Sequence, residues 1–232
     1  EIQEYKKKFW EYLMFNLSKR IITSVILIFI LSISLFFNKY IWLFTLILVS
    51  LVLFIEFNNL TKKIWKNKKN IIVSINTFSL LFLVILIYVS YKSYYIPPTG
   101  LIFIISICIF SDTGGYIIGN LIGGSKLTKI SPNKTISGSI GSFIFSLFSI
   151  VILWFADRNY VTDNYLKLIS VCLFLCLICQ LGDLFISYFK RKANVNDTGS
   201  ILPGHGGLLD RIDGMIFVIP FVYYFHKLYF IL

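Results

Sequence analysis

The chain has 232 residues, of which 57% are hydrophobic and only 14% charged, with a mean hydropathy of +0.80. A soluble domain averages about 45–50% apolar and about 25% charged residues. The composition therefore excludes an ordinary globular domain, a disordered chain, a collagen-like repeat and a small disulfide scaffold. The net charge is +11, from 22 Lys and Arg against 11 Asp and Glu. Such a surplus suits nucleic acid, but its placement along the chain fits membrane topology and implies no nucleic-acid partner.

Seven apolar segments reach the about 17–25 residues needed to cross a hydrocarbon core. In chain order they are Ile21–Phe37, Ile41–Phe57, Ile71–Tyr91, Leu101–Ile118, Ser139–Phe155, Leu166–Ile186 and Met215–Leu232. Each is expected to be helical, because a lone strand in lipid leaves its backbone amides unpaired. The first segment does not read as a cleaved signal peptide, since its core is too long and no small-residue cleavage site follows. The chain starts with Glu rather than Met, as expected where a few native residues are missing. Ahead of the first segment, Phe9, Trp10, Tyr12 and Leu13 beside Lys6–Lys8 read as a juxtamembrane anchor or an interfacial helix. Glu56 reads as a snorkelling carboxylate, and His226 as structural. Cys108, Cys172, Cys176 and Cys179 all lie in apolar stretches, the last three on one helix face. They read as packing, without the His and Cys partners a zinc site needs, and bilayer burial makes disulfides unexpected.

Basic residues give the orientation. The arm to Arg20 carries five, Asn58–Asn70 five, Asn120–Ser137 three and Ser187–Asp213 four, which is 17 of the 22. These loops alternate with poor ones holding Lys39, Lys92 and Arg158, so they share one face of a seven-span plan. The positive-inside rule makes that face cytoplasmic, with the N-terminus inside. The expected fold is an all-α integral membrane protein of about seven transmembrane helices with a cytoplasm-facing polar site. Residues 1–98 form N-terminal membrane helices. Residues 99–232, which hold nearly all the glycines and every Asp, form the region that carries the chemistry.

Three constellations lie on the basic side. The first, Ser111-Asp112-Thr113-Gly114-Gly115-Tyr116-Ile117-Ile118-Gly119-Asn120, puts Asp112, Tyr116 and Gly119 on one helix face. An ionisable residue inside a span is a functional candidate by default, whereas the glycines serve either a ligand or close helix packing. The second, Lys126 to Gly138, sets lysines and hydroxyls after a Gly-rich turn, a composition suited to phosphate oxygens. It lacks the G-x-x-x-x-G-K-[ST] spacing of a Walker A loop. The third runs Gln180-Leu181-Gly182-Asp183, Ser187, Lys190-Arg191, then Asp197-Thr198-Gly199 and Pro203-Gly204-His205-Gly206-Gly207-Leu208-Leu209-Asp210-Arg211-Ile212-Asp213. Asp183, Ser187 and Lys190 fall at i, i+4, i+7, and Asp210 and Asp213 at i, i+3. Three neighbouring carboxylates stay ionised only around a cation. Hard oxygen donors of this kind favour Mg²⁺. His205 reads as an orienting donor.

These motifs resemble the phosphatidate cytidylyltransferase (CDP-diacylglycerol synthase) family. Its signature S-x-x-K-R-x4-K-D-x-G followed by P-G-H-G-G-x-x-D-R-x-D appears as Ser187, Lys190, Arg191, Asn196-Asp197-Thr198-Gly199 and Pro203 to Asp213. Its D-T-G-x-Y-x-x-G and I-S-P-x-K-T elements match Asp112–Gly119 and Ile130–Thr135. The resemblance covers about residues 100–232. Asn196 departs from the pattern where it has lysine, Ser137 where it has glutamate, and Ile186 where a glutamate is frequent.

The resemblance implies CMP transfer from CTP to phosphatidate, giving CDP-diacylglycerol and pyrophosphate in phospholipid biosynthesis. It implies Asp183, Asp210 and Asp213 as metal ligands, for one Mg²⁺ or with a second cation. Lys134, Lys190 and Arg191 neutralise phosphates, Ser131, Thr135 and Ser187 donate hydrogen bonds, and Asp112, His205 and Arg211 contact substrate. The implied partners are CTP, phosphatidate and membrane lipids, with a homodimer left open. The implied location is a bacterial inner membrane with the site facing the cytoplasm. A CTP-using enzyme acting on another lipid (a polyprenol kinase or an archaeal-lipid cytidylyltransferase), an anion transporter and an inactive scaffold stand as alternatives.

Overall fold

The computed structural model describes residues 2–95, 98–156 and 165–229, with side chains described for 18–19, 21–94, 99–156 and 165–224. The side chains proposed for the juxtamembrane anchor (Lys6–Lys8, Phe9, Trp10, Tyr12, Leu13), Arg158 and His226 lie outside these residues. Among the described residues the fold is helical, and its only extended pairing is two isolated β-bridges.

The helices are α1 (Ile2–Phe37), α2 (Lys39–Ile64), α3 (Lys69–Lys92), α4 (Pro98–Ile122), α5 (Ile136–Ser146), α6 (Phe148–Ala156), α7 (Tyr165–Lys192), α8 (Leu209–Ile212) and α9 (Met215–Tyr229). Five stretches are long and apolar enough to cross a membrane: α2, α3, residues 99–122 of α4, the α5–α6 unit, and α7. Ile21–Phe37 and Met215–Tyr224 are shorter apolar helices. Asn38 starts α2 by accepting a hydrogen bond from the Tyr40 amide at 3.0 Å, the side-chain cap that satisfies a first-turn donor. The segment expected as one helix over Ser139–Phe155 is interrupted at Leu147. There the Leu147 amide turns to the Ile144 carbonyl at 3.3 Å. The Ser149 hydroxyl and the Cys172 thiol then donate to the Ser146 carbonyl at 2.6 and 3.2 Å.

Glycines decide the closest packing. A Cβ on Gly114 would lie 2.5 Å from Phe145 Cβ and 2.6 Å from the Gly141 carbonyl, and one on Gly141 would lie 2.5 Å from Ile118 Cβ. The glycines of the first constellation are therefore a helix-packing surface that lets α4 and α5 touch backbone to backbone. Gly182 and Gly214 do the same for α7 and α9. A Cβ on Gly182 would meet the Asp213 carbonyl at 3.0 Å, and one on Gly214 would meet Cys179 Sγ at 2.5 Å.

Two apolar cores result. Ile107, Leu153, Cys172, Leu175, Cys176, Cys179 and Val218 fill the one between α4, α6, α7 and α9. All four cysteines are buried and free, as the packing reading of the sequence expects. Leu53, Leu83, Leu86, Ile186, Leu209 and Ile216 fill the other, between α2, α3, α7, α8 and α9. That second core joins the N-terminal helices to the Asp-rich half. Ile186 is 2% exposed there, so it has an apolar role where the family pattern has glutamate.

Candidate active site

A polar cavity of about 730 Å³ opens between α4, α5, α7 and the loop from Gly123 to Thr135. The loop is set by its turn chemistry. Gly123 and Gly124 take φ of +65° and +100°, the left-handed region that glycine enters without Cβ strain. The Ser137 hydroxyl closes that turn on the Gly123 carbonyl. Lys126 then pairs with Thr135 in a short antiparallel bridge, and the Leu127 amide donates to the Lys134 carbonyl at 2.8 Å. Thr135 caps α5 by accepting from the Gly138 amide at 3.0 Å. Lys134 leaves the loop one residue before this cap, and its ammonium forms an ion pair with Asp183 of α7.

The cavity wall collects Asp112, Ser131, Lys134, Thr135, Asp183 and Ser187 from the sequence-derived set. Ser187 lies one turn beyond Asp183 and donates to its Oδ1 at 3.3 Å. Lys126, Asn133, Ser139 and Gln180 also line the cavity. Lys126, Asn133 and Gln180 belong to the constellations read from the sequence without a role of their own, and Ser139 lies just outside them. Ser139 donates to Gln180 Oε1 at 2.6 Å across the cavity floor.

The rest of the set lies beside the cavity rather than on its wall. Asp213 is brought against Asp183 by the Gly182–Gly214 crossing, and burial together with the Asp183 charge pushes its carboxyl up to about 8. Arg191 is exposed and donates to Asn196 Oδ1 at 3.0 Å, so Asn196 makes a neutral partner where the family pattern has a cation. The His205 ring meets the Thr23 hydroxyl of α1 through Nδ1 at 2.6 Å. Arg211 donates to the His205 carbonyl from Nε at 3.0 Å. These two residues brace the glycine-rich loop instead of facing the cavity.

Two carboxylates have protein partners that the sequence does not show. Asp210, expected as a metal ligand, meets donors from its own loop and from α7. Its Oδ1 accepts from Lys190 at 2.8 Å, and its Oδ2 accepts from the Thr198 amide at 2.7 Å, the Thr198 hydroxyl at 3.0 Å and the Gly207 amide at 3.0 Å. With 5% of its side chain exposed, that carboxylate is surrounded by protein donors. Glu56 does not snorkel. It is 2% exposed and accepts from Thr198 Oγ1, the Leu208 amide and the Leu209 amide at 3.0, 3.0 and 2.8 Å. A carboxylate stem is too short for the long-chain snorkelling of Lys and Arg. The available signal was its isolation as the sole acidic residue between Glu11 and Asp112.

Among the described residues no three His, Cys, Asp or Glu side chains converge tightly enough to enclose a metal. Mg²⁺ seldom needs such a cage, since one or two carboxylates plus substrate phosphates are its usual ligands. Asp112 and Asp183 face the same cavity, and Asp213 presses on Asp183. This hard-oxygen set fits Mg²⁺ shared with a phosphate ligand.

The sequence profile of the cytidylyltransferase family matches residues 97–229. The chain is similar to proteins named phosphatidate cytidylyltransferase. The Staphylococcus haemolyticus protein is 53% identical over 112 residues, 47% of this chain and 42% of that protein. The Bacillus subtilis protein is 42% identical over 134 residues, 56% of this chain and 49% of that protein. The chain thus spans less than half the length of these two relatives. The Rickettsia typhi protein is 34% identical over 214 residues, 88% of this chain and 90% of that protein. The profile takes in every wall of the polar cavity together with the Lys190–Asp210 pair, and the chain belongs to the cytidylyltransferase family.

Proposed function

We propose that the protein transfers CMP from CTP to phosphatidate, yielding CDP-diacylglycerol and pyrophosphate. The observation that carries this reading is the polar cavity in which Lys134, Asp183, Asp112 and Ser187 meet within a bundle of apolar helices. A phosphate oxygen of the lipid attacks the α-phosphorus of CTP, the new P–O bond forms, and the bond to the β-phosphate breaks. The lipid phosphate is already an oxyanion near neutral pH, so no strong general base is needed. The task is to bring two polyanions together in line and to shield their repulsion.

Lys126 and Lys134 supply positive charge on the cavity wall, and the amide end of α5 adds its partial charge. Ser131, Thr135 and Ser187 supply hydroxyl donors. Mg²⁺, alone or with a second cation, would be held by Asp183 with Asp112 or Asp213 and would neutralise phosphate charge. Lys190 stands two turns beyond Asp183 on the same helix, fixed by Asp210, as a phosphate-facing cation, with Arg191 next to it on the exposed side. His205 and Arg211 hold the loop that carries Asp210.

The basic loops support a seven-span arrangement with the N-terminus and the cavity on the cytoplasmic side, where CTP is found. An inner bacterial membrane suits the bacterial relatives. A homodimer remains part of the proposal only as a state to be measured. The direct test incubates detergent-solubilised protein with phosphatidate and base-labelled CTP, with Mg²⁺ or with EDTA. The expected result is label in the lipid extract with Mg²⁺ and none with EDTA. Lipid phosphorylated without nucleotide label would overturn the reading in favour of a lipid kinase.

A further inference from the structure

The mechanism above draws all its groups from the part of the chain after residue 97, yet the most buried acidic residue among the described residues lies outside it. Glu56 belongs to α2, and every one of its hydrogen-bond donors comes from the signature loop, 142 to 153 residues later. Two amides donate to its carboxylate, and the Thr198 hydroxyl shares its one proton between Glu56 and Asp210.

The signature glycines are shaped around this carboxylate. A Cβ on Gly199 would lie 2.7 Å from Glu56 Oε1, and one on Gly207 would lie 2.7 Å from Glu56 Oε2. Neither glycine has a positive φ. Their lack of a side chain is therefore a matter of space, for Glu56 at Gly199 and for the Thr198 hydroxyl together with Glu56 at Gly207, and not of backbone conformation. Thr198, packed between them in the loop, has its hydroxyl 3.0 Å from Glu56 Oε2 and 3.0 Å from Asp210 Oδ2. Asp210 in turn holds Lys190 at 2.8 Å. An unbroken line of contacts thus runs from α2 through Thr198 and Asp210 to Lys190 on α7.

We propose that Glu56 is a positioning residue for the transfer reaction, setting the loop from Thr198 to Asp210 and through it the placement of Lys190 beside the cavity. This rests on the reading of the cavity as a nucleotidyl-transfer site. It makes the N-terminal helices part of the working site rather than a membrane anchor alone. Substitution by glutamine keeps the volume but turns one acceptor oxygen into a donor against the Leu208 or Leu209 amide.

The test compares wild type with Glu56→Gln and Thr198→Val in lipid-linked label transfer and in hydrogen exchange of residues 198–209. Glu56→Gln is expected to lower kcat about 10- to 100-fold. The KM for CTP should change less than about threefold, because Lys134 and Asp183 make no contact with Glu56. Exchange in 198–209 should rise at least about tenfold while the membrane helices stay protected. Thr198→Val keeps both amide contacts to Glu56 and the Thr198 amide bond to Asp210 but removes the hydroxyl between the two carboxylates, so kcat should fall with a smaller rise in exchange. Unchanged kcat in Glu56→Gln would overturn the proposal. So would a lower yield of folded protein whose folded fraction turns over at the wild-type rate. Absence of turnover in wild type would sink the transfer reading, and the exchange difference would still decide whether Glu56 holds the loop.

Discussion

Asp183 and Asp210 have the same side chain within one short motif, and their surroundings give them different jobs. Asp183 faces the cavity with an ammonium on one oxygen and a hydroxyl near the other. Asp210 is enclosed by four protein donors. Asp183→Asn is expected to cost at least about a thousandfold in turnover, as loss of a cavity charge that acts on the transition state, with a melting temperature close to wild type. Asp210→Asn leaves the Lys190 ammonium buried without its counter-charge, a loss of about 3–5 kcal/mol for a broken buried pair. Thermal unfolding in detergent separates the two. A wild-type melting temperature in Asp210→Asn, with Mg²⁺ dependence lost, would assign Asp210 to the metal. Both aspartates were legible as functional from their motif, but spacing along a chain does not say which donors surround a carboxylate.

At the scale of elements, the same residue type does two kinds of work around the cavity. Gly141 lies in the α4–α5 contact, where a methyl group would sit 2.5 Å from Ile118 Cβ and 2.8 Å from the Gly114 carbonyl. Gly141→Ala should destabilise by about 1–3 kcal/mol, the usual cost of overpacking, and should lower turnover by shifting α4 and with it Asp112. Gly123 has open space around it and a φ of +65°. There the need is conformational, so Gly123→Asn should stay within about threefold of wild-type activity because asparagine tolerates that region. The reverse result at both positions would mean that the α4–α5 crossing is loose and the turn is packed. The cysteines of α7 follow the packing rule without any chemistry. Their i, i+4, i+7 stripe points into the core beside Leu175 and Val218.

At the scale of the whole molecule, the charge distribution and the packing make separate statements. The loops after α2 and α7 are basic, and Lys192 stacks on Trp65 at 5.1 Å from the ring centroid, a cation–π contact between those two loops' flanking residues. The proposed orientation is tested by single cysteines. With a membrane-impermeant maleimide on intact cells, Lys92→Cys should label and Lys66→Cys should not. The native cysteines are buried and add little background. Labelling of Lys66→Cys from outside would invert the topology and move the cavity away from the cytoplasm.

Helical class, the main apolar spans, the cysteine stripe and the candidacy of Asp112, Lys134 and Asp183 were all present in the chain itself. They depend on local periodicity, on segment length against bilayer thickness, or on motifs short enough to stand on one element. The break at Leu147, the donors around Asp210, the apolar setting of Ile186 and the burial of Glu56 were decided only by the fold. The last three depend on groups from helices far apart in sequence that meet because α2, α7 and α9 share one core, and the break at Leu147 turns the Ser146 carbonyl to Cys172 of α7. A buried carboxylate takes its role from the donors it finds there, and those donors are placed by packing.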